Sequence, residues 1–366
     1  MITNQNKNKV YIIAEAGVNH NGDFKIALKM IDEAVKSGAD AVKFQTFISN
    51  NLASEHAQKA DYQKKTTDIN EKQIHMLKKL ELKKPEYKKL KQYCRKRRID
   101  FLTTAFDEES LDFITNDLKV NKLKIPSGEI TNGPLLLKHG LTGLDIILST
   151  GMSTIKEIET ALGVILFGYI NRKTKNMKPS LKAFKNAYKS KKGKKYLRNK
   201  ISILHCTTEY PAPFEELNLN AMNTIRNTFN VEVGYSDHSK GLIVPSIAAA
   251  MGAKIIEKHF TLDKNMKGPD HKASINVKEL KQMVEQIRFI ENIKGSEKKL
   301  PSSSEIKNIE VARKSIIAKK NIKTGELFSV INLTSKRPGS GKTPMDLWKT
   351  LGKKSNKNYD EDDIIE

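Results

Sequence analysis

The amino-acid sequence predicts a (β/α)8 barrel followed by a small second domain. Short apolar runs recur along the chain, and helix-length segments separate most of them, as in proteins whose strands and helices alternate. The runs end in residues suited to acid–base, metal or phosphate chemistry, and the active sites of such barrels lie at the strand carboxyl ends. The length of 366 residues exceeds what one core normally serves, which indicates the second domain. An open doubly wound sheet would show the same alternation and is the alternative fold.

Eight apolar runs are the predicted barrel strands. In chain order they are VYIIA (10–14), AVKFQ (41–45), FLTTA (101–105), LKIPS (123–127), DIILST (145–150), ISILHC (201–206), VEVGYSDH (231–238) and AKIIEKH (253–259). The first is followed by a loop and an amphipathic helix over 24–37 that stops at Gly38. A long polar stretch over 46–82 follows the second, and we expect this extra length on the catalytic side to form a substrate-covering loop.

A change of composition near Lys294 marks the end of the predicted barrel. The segment GSEKKLPSSSE is rich in Gly, Ser, Pro and charge and has no apolar periodicity, so it is typical of a linker. Beyond it, short β-like runs alternate with turns. We therefore predict a barrel over 1–293, a linker over 294–305 and a strand-rich domain over 306–366.

The formal net charge of +23 is concentrated in one segment. Residues 171–200 contain thirteen Lys and Arg and no acid, so the rest of the chain carries only +10. We interpret the segment as an exposed insertion in the barrel, a solvated, partly helical or mobile excursion. A polyanion-binding surface is the alternative, but aromatics of RNA recognition and a zinc-finger spacing are missing, and we expect no specific nucleic-acid partner.

The remaining composition favours a cytoplasmic protein without a membrane partner. No apolar stretch approaches membrane-spanning length, and MITNQNKNKV lacks the apolar core of a signal peptide. The two cysteines, Cys94 and Cys206, fit a reducing compartment. Cys206 follows His205, but we interpret it as a small buried strand residue and not as a nucleophile.

Two histidines end consecutive predicted strands. His238 and His259 follow the seventh and eighth runs, and neighbouring strand ends in a barrel lie close together. Two imidazoles with open positions beside them suit a divalent ion such as Mn²⁺, Fe²⁺, Co²⁺ or Zn²⁺. Each alone would be a hydrogen-bonded core residue, but the pair predicts a metal site. His20 and His271 lie in loops and are weaker candidates for substrate contact.

A second group of strand-end residues predicts an anion site. Ammonium and hydroxyl groups that converge on a barrel mouth bind phosphate or carboxylate. The candidates are Lys43, Lys124, Ser127, Ser149 and Ser236. Glu15 ends the first strand in the same ring, where it would pair with a lysine or act as a general acid–base. A Schiff-base lysine, as in aldolases, is a further alternative.

The ordered motifs of the chain resemble those of the sialic acid synthases. They are IIAEAGVNHNGD, AVKFQTF, FLTTAFDEESLDF, KIPSGEITN, IILSTGM, LHCTTEYPAP, GYSDHSKG and IEKHFTLDKNMKGPDHKAS. The C-terminal ARKSIIAKKNIKTGELFSVINL and KRPGSGKTPMDLW are similar to the antifreeze-like (SAF, β-clip) domain of that family. The resemblance implies a TIM barrel joined to a SAF domain. It also implies a transferase that condenses phosphoenolpyruvate with an N-acetylated mannosamine-type sugar to a nine-carbon 2-keto acid and phosphate.

The resemblance also assigns roles to matching positions. Glu15 matches the proposed acid–base, and His238 and His259 match the ligands of a divalent metal, for which we expect Mn²⁺. Matches to phosphoenolpyruvate contacts are Lys43, Thr104, Lys124, Ser127, Ser149 and Ser236; matches to sugar contacts are Gln45, Tyr210, Asp270 and Arg337. We expect a homodimer in which Arg337 reaches the site of the partner. Thr208 departs from an asparagine found in some members, which leaves that contact with phosphoenolpyruvate open.

These motifs leave the acceptor sugar open. N-acetylmannosamine, the substrate of N-acetylneuraminate synthases, is the first expectation. The alternative is 2,4-diacetamido-2,4,6-trideoxymannose, the acceptor of N,N'-diacetyllegionaminate synthases. Outside this class, a pyruvate-dependent Schiff-base lyase and a non-catalytic polyanion-binding barrel are the further alternatives.

Overall fold

The structure is a computed structural model that describes residues 9–366. Within these residues, eight parallel strands pair in chain order and the first closes on the eighth, which confirms the predicted barrel and excludes the open sheet. A short additional strand, β9 (Ile275–Asn276), pairs with β8. The barrel strands are β1 (Tyr11–Gly17), β2 (Ala41–Thr46), β3 (Asp100–Ala105), β4 (Lys122–Ile125), β5 (Asp145–Ser149), β6 (Ile201–Cys206), β7 (Glu232–Asp237) and β8 (Ile255–Thr261).

Helices follow the strands and cover the outside of the barrel. The α1 helix starts where the Asp23 carboxylate accepts hydrogen bonds from the backbone N–H groups of Lys25 and Ile26, and it gives way to Gly38 in the left-handed region (φ +79°). The helices are α1 (Phe24–Lys36), α2 (Ser49–Leu52), α3 (Asp61–Thr66), α4 (Gln73–Leu80), α5 (Lys84–Arg97), α6 (Glu108–Asp112), α7 (Gly133–Thr142), α8 (Ile155–Asn171), α9 (Leu181–Lys189), α10 (Lys191–Lys200), α11 (Ala221–Phe229), α12 (Ile243–Ala250) and α13 (Val277–Lys294). Their apolar faces and the outward side chains of the strands form the main core.

The polar stretch after β2 is more ordered than its composition indicates. It contains the short helices α2, α3 and α4, and Met76 and Leu80 of α4 are buried with Val18 and Phe47. The Thr66 hydroxyl of α3 donates to the carbonyl of Pro269, 3.1 Å away, in the loop after β8. The stretch therefore packs over the carboxyl ends of the strands, as the predicted covering loop requires.

The basic segment 171–200 contains two helices, as the partly helical interpretation expects, but both helices pack on the barrel. Helices α9 and α10 pack on α8, with Tyr188 and Leu197 buried and the ring of Phe184 5.3 Å from that of Phe167. The lysines of α9 lie on its exposed side. Because the few apolar residues recur at helical spacing, they give each helix one buried face despite the high net charge.

Residues from Ser296 to Glu366 form a second compact unit, separate from the unit that ends at Gly295. It contains α14 (Ser303–Ala312), α15 (Leu347–Thr350) and an antiparallel pair, β10 (Ser315–Ala318) with β11 (Leu333–Lys336). Its small core includes Ile316, Phe328, Leu333, Tyr359 and Ile365. Helix α14 begins inside the predicted linker, and the linker and domain bounds stay predictions.

Candidate active site

A polar layer lies directly above an apolar layer inside the barrel. The apolar layer consists of Ile13, Ala41, Leu102, Ile147, Leu204 and Ile255. Because side chains on one face of a strand recur every second residue, the residue two positions further along each strand lies in the next layer. Those residues are Glu15, Lys43, Thr104, Ser149, Cys206 and Glu257. The barrel geometry thus stacks chemistry-bearing groups on a hydrophobic floor.

Four buried charges form the centre of the polar layer. The ammonium of Lys43 lies 2.7 Å from Glu15 Oε2 and 3.7 Å from Glu257 Oε2. Lys124 Nζ lies 3.2 Å from Glu257 Oε1. All four side chains are at most 5% exposed. Two cations and two anions make this cluster neutral overall, so each buried charge lies next to an opposite charge.

The two carboxyl groups of the cluster have different proton affinities. Burial raises the pKa of Glu15 to about 7; Lys43 acts against this rise and Glu257 adds to it. Burial alone would also raise the pKa of Glu257, but the attraction of Lys124 and Lys43 outweighs it and lowers that pKa to about 2. Glu257 is therefore a permanent anion, whereas Glu15 can exchange a proton near neutral pH.

Hydroxyl groups surround the charge cluster. Lys124 Nζ donates to Ser149 Oγ at 2.8 Å, and Ser236 Oγ donates to Glu257 Oε1 at 3.0 Å. The hydroxyl of Thr104 accepts from Lys43 at 3.3 Å. Each hydroxyl keeps further hydrogen-bonding capacity toward a ligand.

Gly151 allows a close approach of two loops beside these hydroxyls. Its backbone N–H donates to Ser127 Oγ at 2.9 Å. A Cβ at this position would lie 2.0 Å from Thr208 Oγ1. Thr208, whose contact the sequence left open, therefore lies in the wall beside Ser127.

The two predicted metal ligands lie together at the mouth. The ring centroids of His238 and His259 are 5.6 Å apart. Tyr210 packs against both, at 4.1 Å from His238 and 5.6 Å from His259. Burial, with repulsion from His238 and Lys43, holds the pKa of His259 well below its ordinary value, so this imidazole is neutral.

The histidine pair fits a divalent ion with open coordination positions. His238 Nδ1 lies 2.7 Å from the carbonyl oxygen of Thr207, so Nδ1 carries a proton and donates it to that carbonyl. Nε2 is then the nitrogen of this ring that can bind a metal ion. Nδ1 of His259 is buried and has no hydrogen-bond partner among the described residues. Within residues 9–366, no group of three or more His, Cys, Asp and Glu side chains is arranged as a complete metal site. The protein would thus supply two nitrogens, and substrate or water the other ligands.

A cavity of about 410 Å³ opens above the polar layer and the histidine pair. This volume is in the range of small-molecule sites. Its wall includes Lys43, Gln45, Thr104, Lys124, Ser127, Ser149, Tyr210, Ser236, His238, His259 and Asp270, together with Glu15, Glu257, Cys206 and Thr208. Burial raises the pKa of Asp270 to about 6, while His238 acts to lower it.

Comparisons with known proteins show which family the chain resembles. The model of the NeuB family matches residues 30–299. The chain is 50% identical to N,N'-diacetyllegionaminic acid synthase of Campylobacter jejuni subsp. jejuni serotype O:2, over 98% of this chain and 99% of that protein. It is 40% identical to N,N'-diacetyllegionaminic acid synthase of Legionella pneumophila subsp. pneumophila, over 95% of this chain and 91% of that protein.

A solved structure extends the likeness to three dimensions. The N-acetylneuraminic acid (sialic acid) synthetase from Leptospira borgpetersenii serovar Hardjo-bovis, in complex with citrate, is 35% identical, with a TM-score of 0.66 over 83% of this chain and 91% of that one. This chain belongs to the NeuB family. The resemblance to sialic acid synthases that the motifs carry is therefore confirmed.

The barrel of this NeuB-family chain brings nearly all of the predicted site residues into one cavity. Arg337 belongs to the second compact unit, where its side chain is exposed and its Nε donates to the carbonyl of Ala312 at 3.1 Å. Its role in a partner's site stays a prediction. The same holds for the roles of the barrel residues, because their position alone does not test them.

Several polar residues in or after the barrel strands lie outside the cavity of this NeuB-family chain. His271 is held by Thr261 Oγ1 at 2.7 Å and Asn21 Oδ1 at 3.0 Å, and His20 is buried next to Phe44. Asp237 and Lys258 face the outer side of the barrel wall, where they form a buried ion pair. Alternation along β7 and β8 explains this, because neighbours of inward residues point outward.

Sequence reasoning did not include Glu257 among the site residues, although it is the anion that both lysines contact. The pattern of β8 contains the signal, because Glu257 and His259 are two residues apart and share a face. Cys206 likewise lies in the cavity wall, with Sγ 3.7 Å from His238 Nδ1. From the polar stretch, Tyr62 and Gln63 also line the cavity, and only packing revealed them.

Among the described residues, no helix is both long and apolar enough to pass through a lipid bilayer.

Proposed function

We propose that this protein condenses phosphoenolpyruvate with 2,4-diacetamido-2,4,6-trideoxymannose and water to give N,N'-diacetyllegionaminate and phosphate. The observation that carries the proposal is the neutral cluster of two lysines and two glutamates, ringed by hydroxyls, directly below the histidine pair. The 50% identity to a diacetyllegionaminic acid synthase ranks this acceptor ahead of N-acetylmannosamine. N-acetylmannosamine is the second candidate, supported by the 35% identity to a sialic acid synthetase.

Charge balance supports phosphoenolpyruvate as the ligand of the polar layer. The four buried charges sum to zero before it binds. A phosphate and a carboxylate add negative charge, which must be compensated in a buried site. Protonation of Glu15 compensates part of it, consistent with a pKa that burial has already raised to about 7. A divalent cation would compensate the rest.

The residues at the mouth support a metal, for which Mn²⁺ is our proposal. His238 and His259 would hold it through imidazole nitrogens, and Thr207 orients the first ring. When bound, such an ion polarises a substrate carbonyl. Tyr210 packs against His238 and His259 and would keep both rings in place.

The protein residues then act in sequence on the two substrates. Lys43, Lys124, Ser149 and their hydroxyl neighbours hold the phosphate and carboxylate, so that C3 of phosphoenolpyruvate faces the aldehyde carbon. As C3 forms the new C–C bond, protonated Glu15 donates its proton to the aldehyde oxygen. The Glu15 carboxylate then accepts a proton from the water that adds at C2. Cleavage of the bond between C2 and the phosphate oxygen then releases phosphate, which takes up the proton of the C2 hydroxyl, and leaves the 2-keto acid; Glu15 is protonated again, as at the start.

We extend the proposal to a cytoplasmic homodimer in which Arg337 contacts the sugar in the partner's site. The small core of the second unit supports it, because a unit of this size gains stability by docking. Arg337 is exposed, and its guanidinium can donate hydrogen bonds to several oxygens of a sugar at once.

The assay that tests the proposal uses the purified protein with Mn²⁺, phosphoenolpyruvate and each sugar separately, and mass spectrometry of the products. We expect a nine-carbon keto acid from the diacetamido sugar. ¹⁸O in the bridging position of phosphoenolpyruvate should leave with phosphate; label in the sugar product would mean P–O cleavage and refute the mechanism. A lysine adduct trapped by borohydride with pyruvate would favour the lyase instead. Absence of product with either sugar, under conditions where the fold is intact, contradicts the proposed function.

A further inference from the structure

One wall of the cavity is apolar, in contrast to the polar layer below it. Val18, Leu52, Met76, Leu77 and Leu80 line the cavity there, and we call them the acceptor shelf. Val18, Met76 and Leu80 belong to one buried cluster, with Leu52 and Leu77 packed against it. The shelf thus presents a continuous hydrocarbon surface to whatever occupies this side of the cavity.

The acceptor shelf lies beside the histidine pair, on the side of β1 and β2. At Gly17, a Cβ would lie 3.3 Å from His259 Cε1 and 3.4 Å from Gln45 Nε2, so these two side chains converge there. Val18 is the next residue and starts the shelf. The hydroxyls of Ser127 and Ser149 come instead from the ends of β4 and β5. If phosphoenolpyruvate occupies the side of the cavity at the ends of β4 and β5, a sugar whose aldehyde lies at the histidines therefore extends its far end onto the acceptor shelf.

Two side-chain amides beside the shelf have unused hydrogen-bonding groups. Gln45 and Gln73 line the cavity, and neither side-chain amide has a hydrogen-bond partner among residues 9–366. A side-chain amide offers both donors and an acceptor, which matches the N–H and C=O of an acetamido group. An apolar surface flanked by free amides is therefore complementary to an acetamido group with its methyl.

We infer that the acceptor shelf, with Gln73, selects a diacetamido-trideoxy sugar over N-acetylmannosamine. The inference rests on the proposed function. The diacetamido sugar has an acetamido group at C4 and a methyl group at C6, where N-acetylmannosamine has hydroxyls. The C6 hydroxyl of N-acetylmannosamine would lose water against the shelf without finding a partner there, whereas the C6 methyl and the acetamido methyl of the diacetamido sugar gain contact with Met76 and Leu77.

The test compares kcat/KM for the two sugars, at saturating phosphoenolpyruvate and Mn²⁺, in wild type and in Met76→Gln. The substitution keeps the length of the side chain and replaces its thioether by an amide. We expect kcat/KM for the diacetamido sugar to fall by roughly 10- to 100-fold, because apolar contacts in a specificity pocket are of this size. The kcat/KM for N-acetylmannosamine and the KM for phosphoenolpyruvate should change by less than roughly 3-fold. The ratio of the two kcat/KM values therefore shifts toward N-acetylmannosamine. Gln73→Leu should lower kcat/KM for the diacetamido sugar by roughly 5-fold through one lost hydrogen bond.

Matched controls separate selectivity from folding. Met76→Leu keeps the surface apolar and should retain the preference, and Lys78→Gln puts the same amide on an exposed position of α4 and should change nothing. Should Met76→Gln not fold, the half-buried Leu77→Gln provides the same comparison. Equal losses for both sugars, or a wild-type preference for N-acetylmannosamine, would overturn the inference while phosphoenolpyruvate-dependent synthesis stands. No synthesis with either sugar would instead overturn the proposed function together with the inference.

Discussion

The ion pair between Asp237 and Lys258 is fully buried on the outer side of the barrel wall, and we expect it to contribute strongly to stability. The side chains are 0% and 2% exposed, respectively. Lys258 donates to Asp237 Oδ2 and, at 2.8 Å, to the carbonyl of Ser239. Asp237 Oδ1 also accepts from the backbone N–H of Ser239 at 3.0 Å. The pair thus joins β7 to β8 next to both histidines of the proposed metal site.

The perturbation is Lys258→Met, which removes the cation and leaves Asp237 buried without a counter-charge. Breaking a buried pair in this way costs about 3–5 kcal/mol, because the remaining ion keeps its desolvation penalty. For a compact unit that ends at Gly295, an unfolding entropy of roughly 0.6 kcal/mol/K converts this loss into a fall in Tm of roughly 5–8 °C. Adding Asp237→Asn to Lys258→Met should recover part of the loss, with a coupling energy of roughly 2 kcal/mol.

The measurement is thermal unfolding of the barrel followed by circular dichroism, with Mn²⁺ affinity by electron paramagnetic resonance as a second readout. Affinity should fall by roughly 10- to 100-fold, because the pair positions the backbone that carries both imidazoles. Lys281→Met is the control: its ion pair with Glu285 is 3.9 Å long and both side chains are over 60% exposed, so Tm should hardly change. A Tm shift for Lys258→Met as small as that of the control, or single-mutant effects that add without coupling, would refute the reasoning.

Further predictions concern the proton, the metal and the second unit. Because burial raises the pKa of Glu15 to about 7, its acid form is lost above that pH. We therefore expect kcat/KM for the sugar to fall as pH rises through about 7. Glu15→Gln should abolish this fall and lower kcat by roughly 10²- to 10⁴-fold. A chelator should abolish turnover and Mn²⁺ restore it, and His238→Ala should fold but lose bound Mn²⁺; full activity of metal-free protein would contradict the metal site. Arg337→Ala should raise the KM for the sugar but not for phosphoenolpyruvate. Mixing Arg337→Ala with His238→Ala should regain activity if the arginine acts across a dimer; no recovery despite demonstrated subunit exchange would exclude that role.

The strand ends show how far local sequence patterns lead. The ends of each barrel strand lie within about two residues of its predicted run, except that β1 continues three residues further, to Gly17. Buried parallel strands are apolar on both faces, so their polar ends stand out in the sequence. That contrast identified Lys43, Lys124 and both histidines without any knowledge of their partners.

The same patterns could not predict which residues contact one another across the barrel. Glu257 meets Lys124 from 133 positions away, and Lys43 meets Thr104 across 61 positions. Which inward residues share a layer depends on the closure and stagger of all the strands, a property of no single segment. The pKa values of Glu15 and Glu257 differ for the same reason, since they arise from which lysines the closed barrel brings next to each carboxyl.

Two polar segments pack more closely than their composition indicates, for a common physical reason. The covering stretch over 46–82 and the basic segment 171–200 both contain helices that bury a few apolar residues, such as Met76 and Leu80 in one and Tyr188 and Leu197 in the other. By itself the sequence determined the alternation of strands and helices, the set of polar strand-end residues and the family, because these depend on periodicity and residue type along each segment; the closure of the strands into a barrel came from the structure. Only the tertiary structure showed which residues form the neutral charge cluster, where the basic helices pack and which side chains form the acceptor shelf. Each of these depends on surfaces contributed by segments far apart in the chain.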